Sequence, residues 1–191
     1  MTIEDLYGEA IPRHLREEVL DEKMLYDGKV VHLVRQDIKL EDGYESTREV
    51  VLHSGGVAIL ALTEDEKVYM VRQYRTAAQS ALLELPAGKL EPGEDPYESA
   101  IRELEEECAI KAQTLEPLGK FYPTPGYCSE VIHLYWTKDF AQGEQNLDPG
   151  ETLDVFQVPL KNLLRAIEEN KIHDAKTQLA VLRYLQLRSR K

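Results

Sequence analysis

Apolar and polar positions along the chain fall mostly into short runs. Residues 29–40 concentrate Val30, Val31, Leu33, Val34 and Ile38 and end at the turn Glu41-Asp42-Gly43. Residues 47–52 resume an extended pattern, which predicts a hairpin. Residues 56–62 and 67–74 flank the polar turn Thr63-Glu64-Asp65-Glu66 and predict a second hairpin. A short strand is expected at 82–85, closed by Pro86, and two more at 115–122 and 131–136, on either side of Pro123-Thr124-Pro125-Gly126. A polar, acidic loop at 141–150 precedes a last strand at 152–158.

Helical spacing is clearest where Tyr97, Ile101, Leu104 and Cys108 recur on one face. Asp95 is a good N-cap for that helix, Pro96 takes its first position, and Glu98 follows three residues after the cap. Amphipathic helices are expected at 160–169 and 174–187, and residues 1 to about 20 read as a charged tail or short helix. There is no internal repeat and no low-complexity linker. Several strands with few helices indicate an α+β fold.

Composition narrows the function. At 191 residues with 42% hydrophobic side chains, the chain can bury a core of one domain, with room for a terminal extension. Its net charge of −12 leaves no basic stripe to neutralise nucleic-acid phosphates. A phosphate substrate would need divalent cations to approach it. Two cysteines, Cys108 and Cys128, make no disulfide framework, and no Cys/His spacing fits zinc. The acidic first residues are no secretory signal, and the longest apolar run, 56–62, is too short to span a bilayer. A cytoplasmic protein without membrane partners is expected.

The segment from Gly88 to Ile110 carries the candidate chemistry. Glu103, Glu106 and Glu107 lie three and four residues apart on the expected helix and share one face. A glutamate-rich helical face is by itself ordinary solvated surface, but three crowded like charges also suit a hard cation such as Mg2+. The spacing weighs against the ordinary reading. Gly88, Glu94, Arg102-Glu103, Leu104, Glu106-Glu107 and Ile110 resemble the Nudix box in order and separation. The one departure is Ala109, where the family has glycine; alanine in a left-handed helix cap costs roughly 1 kcal/mol.

The resemblance runs from about residue 25 to 187. Val71-Arg72-Gln73-Tyr74-Arg75, Leu83 to Leu90, Phe121 to Gly126 and Asp174-Ala175-Lys176-Thr177 look like the ADP-ribose pyrophosphatase branch of the Nudix family, with Pro125 where that branch carries a proline. It implies a mixed-sheet α/β/α sandwich over residues 51–191, with residues 1–50 as a β extension that joins two chains into a homodimer. It implies Mg2+, with Mn2+ as a substitute, held by Glu103, Glu107, Glu106 and the carbonyl of Ala87. Glu94 and Arg102 would tie the loop to the helix. The reaction implied is hydrolysis of the pyrophosphate of ADP-ribose or a related nucleoside diphosphate sugar. Glu151 is the best match to the family's loop base, with Glu130 or a box glutamate such as Glu106 as rivals. Arg48, Arg75, Glu84 and Pro125 match substrate-contacting positions, and Tyr26 could stack on a base. Two other readings stay open: a Nudix enzyme for dinucleoside polyphosphates or other nucleotides, and a module that binds ADP-ribose without cutting it.

Overall fold

The structure is a computed structural model that describes residue 3 and residues 11–190. The chain divides into two compact units, Met1–His53 with Thr124–Ser129, and Ser54–Pro123 with Glu130–Lys191.

The first unit is an antiparallel sheet of β1 (Glu18–Asp27), β2 (His32–Lys39) and β3 (Glu45–Leu52), in that order. The expected hairpin is β2–β3. β1 was not expected, and part of it falls where a tail or short helix is predicted; the described remainder of that stretch includes helical Ile3 and a 3-10 turn, Arg13–Leu15, while residues 1, 2 and 4–10 lie outside the described residues. Every side chain of β1 is exposed, so it carries no alternation of buried and open positions for a sequence pattern to reveal. Its pairing with β2 is broken at Val19/Asp21 and Met24/Tyr26, which scrambles the period further. Residues 124–129 run along β3: the Val51 N–H bonds the Tyr127 carbonyl, and the Ser129 N–H bonds the Val51 carbonyl.

The second unit holds two larger sheets. One joins β7 (Ala87–Lys89), β4 (Gly56–Ala61), β10 (Ile132–Thr137) and β9 (Glu116–Phe121), with β4 parallel to β10. The other joins β12 (Leu153–Pro159), β5 (Lys67–Arg75) and β6 (Ser80–Glu84). A short pair links β8 (Ile110–Ala112) to β11 (Phe140–Gln142). Three helices complete the unit: α1 (Pro96–Cys108), α2 (Leu160–Glu168) and α3 (Ala175–Arg188). The second hairpin expected from sequence is corrected. β4 and β5 share one isolated bridge, Leu62 with Val68, and then pass into different sheets. All six residues of β4 are buried, so it needs a partner on each edge and cover on both faces, which a two-stranded hairpin cannot supply.

The alternation along β4 builds two cores. Ala58, Leu60 and Leu62 pack with Leu160 and Leu163 of α2 and with Ala180, Val181 and Tyr184 of α3. Val57, Ile59 and Ala61 pack with Ala100, Leu104 and Cys108 of α1. Helices on both sides of the strands make the α/β/α sandwich. α1 starts where the sequence places it, with Asp95 Oδ1 accepting the Tyr97 N–H at 2.8 Å. It ends on Ala109 at φ 56°, ψ 33°, the left-handed cap that glycine usually fills.

Candidate active site

The site is built on the inner side of α1, against β7. Glu107 is 5% exposed and accepts the Ala87 N–H at 2.9 Å. One turn back, the carboxylate of Glu103 lies directly on the backbone of Gly88, where an added Cβ would occupy the same space. Glycine is required there by close approach, as the sequence pattern anticipates.

Arg102 organises the outer side. Its guanidinium bonds both oxygens of Glu94, at 2.8 and 2.9 Å, and reaches Glu103 and Glu106 at 2.9 Å each. The link to Glu94 ties the loop before α1 to the helix, and the Arg102 hydrogen bond holds the Glu94 carboxyl down at about 2. Glu103 and Glu107 behave oppositely. Burial pushes Glu103 up to about 7 despite Arg102, with Glu106 and Glu151 adding repulsion. Burial pushes Glu107 up to about 8, against the Ala87 N–H, with Glu103 and Glu151 again adding repulsion. Glu151 therefore sits within electrostatic reach of both carboxylates. It ends a tight turn closed by its own N–H on the Asp148 carbonyl at 2.9 Å.

Arg75 and Glu84 are brought together as a bidentate pair, with bonds of 2.8 and 2.9 Å. Glu84 is 1% exposed and also receives Lys176 Nζ at 3.0 Å. Burial works to raise its carboxyl, and Arg75 with Lys176 outweighs that and keeps it low. Lys176 reaches Asp174 at 2.6 Å; Asp174 accepts the Thr177 N–H and hydroxyl; the Thr177 hydroxyl accepts the Leu85 N–H. Sequence reading marked the Asp174-to-Thr177 stretch as a family resemblance but gave its residues no part in the site. The one local signal was the N-cap pattern of Asp174, three residues before Thr177, which now accounts for the helix start.

Ala87, Glu103, Glu106, Glu107, Glu151, Arg75 and Glu84 all belong to the second unit; Arg48 and Pro125 belong to the first. Arg48 pairs there with Glu17 and bonds the Thr47 carbonyl at 3.0 Å. A groove of about 640 Å3 touches Arg102 and Glu106 from the outer side of α1 and is lined by neither Glu103 nor Glu107.

Among the described residues no group of three or more Asp, Glu, His or Cys side chains is arranged to hold a metal ion by itself. Mg2+ keeps several waters and is usually held by one or two carboxylates plus a substrate phosphate. Two neighbouring carboxylates that resist ionising, Glu107 buried and Glu103 half-buried against a glycine that a Cβ would block, fit such an ion. Among the described residues no helix is long and apolar enough to cross a membrane.

The NUDIX domain profile matches residues 52–179. An ADP-ribose pyrophosphatase of Bacillus subtilis (strain 168) is 38% identical over 178 residues, covering 92% of this chain and 96% of that one. A methanol dehydrogenase activator of Bacillus methanolicus is 42% identical over 173 residues, covering 90% and 93%. Among solved structures, an ADP compounds hydrolase superposes with a TM-score of 0.79 at 21% identity, covering 94% of this chain and 96% of that one, a likeness of fold. With a box helix, a Glu94–Arg102 clasp and a profile match across most of its length, the chain belongs to the Nudix family.

Proposed function

We propose that this Nudix hydrolase uses Mg2+ to split the pyrophosphate of ADP-ribose or a related nucleoside diphosphate sugar, releasing a nucleoside monophosphate and a sugar phosphate. The observation that carries the reading is the pair of carboxylates Glu103 and Glu107, one helical turn apart, the first half-buried and the second buried, and both held above the ordinary glutamate range. Such a pair is costly to the fold unless a cation resolves it. The B. subtilis relative supports the substrate class.

Glu103, Glu107, Glu106 and the Ala87 carbonyl would hold the ion. Bound Mg2+ supplies neutralisation of the pyrophosphate and a water of lowered pKa. Glu151, within electrostatic reach of Glu103 and Glu107, would take the proton from the attacking water. Glu84, itself held by Lys176, fixes the plane of the Arg75 guanidinium through Nε and Nη2, and the remaining N–H donors of that guanidinium would serve a phosphate. Two copies of the chain join through residues 1–50 in a cytoplasmic homodimer, with residues 51–191 as the hydrolase domain. Support for the dimer comes from β1, an edge strand that exposes Val19, Leu20, Met24, Leu25 and Tyr26. Sedimentation would test it: a monomer at micromolar concentration removes the dimer.

The decisive assay is hydrolysis of ADP-ribose, GDP-mannose and diadenosine polyphosphates, each with Mg2+, with Mn2+ and with chelator. Metal-dependent release of AMP from ADP-ribose is expected. Preference for the polyphosphates would move the chain to another Nudix activity, and binding without turnover would make it a sensor. A second reading, activation of an alcohol dehydrogenase, is favoured by the 42% identity to the B. methanolicus activator. Assaying a methanol dehydrogenase with and without the chain tests it.

A further inference from the structure

We infer that Gln145 is a positioning residue for hydrolysis, holding the loop that carries Glu151 against the helix that carries Glu103 and Glu107. The inference rests on Glu151 as the base.

α1 has no basic residue in its last turn, and its closing amide, that of Ala109, is spent on the Glu105 carbonyl at 2.9 Å. The carbonyls beyond need partners from elsewhere. One stretch supplies them. The Asn146 N–H bonds the Glu106 carbonyl at 3.1 Å, and Gln145 Nε2 bonds the Glu107 carbonyl at 2.7 Å. The Gly143 N–H and Gln142 Nε2 both bond the Ala109 carbonyl, at 2.8 and 3.0 Å. Gly143 also lies so close to α1 that an added Cβ would come within 2.9 Å of Glu105 Oε1.

These bonds are what hold the stretch. The side chains of Glu144, Gln145 and Asn146 are exposed along the groove of about 640 Å3, so apolar burial contributes little. The turn from Asp148 to Glu151 begins two residues after Asn146. Gln142 shares its acceptor with a backbone amide; Gln145 alone among these side chains serves the carbonyl of a proposed metal ligand. Its loss removes the side-chain anchor nearest Glu151, weakening the loop's hold to the Asn146 N–H and the bonds at 142–143, and leaves Glu103, Glu107 and Arg75 in place.

The test measures kcat, KM for ADP-ribose, the Mg2+ half-saturation and the melting temperature for wild type, Gln145→Ala, Glu151→Gln and the double variant. Gln145→Ala should lower kcat about tenfold, since misplacing a reacting group by about 1 Å can cost more than that. KM and the Mg2+ requirement should stay within about twofold. In the Glu151→Gln background the same change should cost nothing further, because the loop then has no base to place. Multiplying losses, with a lowered melting temperature in both backgrounds, would reduce Gln145 to a helix cap and overturn the inference. A slow Glu151→Gln beside a full-rate Gln145→Ala would overturn it too while leaving the base assignment standing. A full-rate Glu151→Gln would overturn both.

Discussion

Glu107 is the residue on which sequence and structure differ most usefully. On a helical wheel it shares a face with Glu103 and Glu106, the side expected to meet water. In the fold it is nearly closed off, while Glu106 stays half-open and paired to Arg102. The wheel gives an angle around the helix, and burial depends on what stands opposite; here β7 brings the Ala87 N–H to the carboxylate. Glu107→Gln should keep the shape and lose the charge. Turnover is expected to fall by about a hundredfold or more with the fold retained. Near-normal turnover would remove Glu107 from the ligand set. The buried contacts among Arg75, Glu84, Lys176 and Asp174 were beyond the sequence for a related reason: 92 residues separate Glu84 from Lys176, and only the finished packing of α3 brings them together.

At the scale of elements, what the sequence shows best is whatever is local. The start of α1 was legible because capping is decided within four residues, and the C-terminal helices because their apolar faces repeat. The short strands β7, β8 and β11 were not, since three residues leave no period to read and their partners are distant in sequence. β1 escaped for lack of a buried face. The cap of α1 offers a prediction. Ala109 sits at φ 56°, where a Cβ crowds its own backbone, so Ala109→Gly should stabilise the protein by up to about 1 kcal/mol, read from denaturant midpoints. A destabilised variant would mean that Gly at 109 loses more in the unfolded chain than it gains in the cap.

Across the whole molecule, the site glutamates set how stability responds to pH. In the metal-free folded protein Glu103 and Glu107 hold protons to about 7 and about 8, above the ordinary 4.5. Between those limits the folded state binds more protons than the unfolded state, so stability falls as pH rises. The contribution is complete below about pH 4.5 and lost by about pH 8. His133, whose pKa burial lowers, pulls weakly the other way near neutrality. The metal-free protein should therefore melt higher at about pH 5.5 than at about pH 8, and Mg2+ should raise the melting point more at the higher pH. Glu107→Gln should flatten the slope; an unchanged slope would place the titrating groups elsewhere.

β4 has a consequence for how this protein can vary. The helix bearing the glutamates leans on Val57, Ile59 and Ala61, and the helix bearing Lys176 leans on Ala58, Leu60 and Leu62. Losing or gaining one residue within the strand would hand each helix the other's set of supports, mismatching size where Val57 trades with Ala58 and Ala61 with Leu62, and disturbing both helices together. Substitutions can accumulate on either face independently, whereas a change of length cannot be absorbed. Lineages of this fold should diverge through β4 by replacement alone and keep their insertions for the loops.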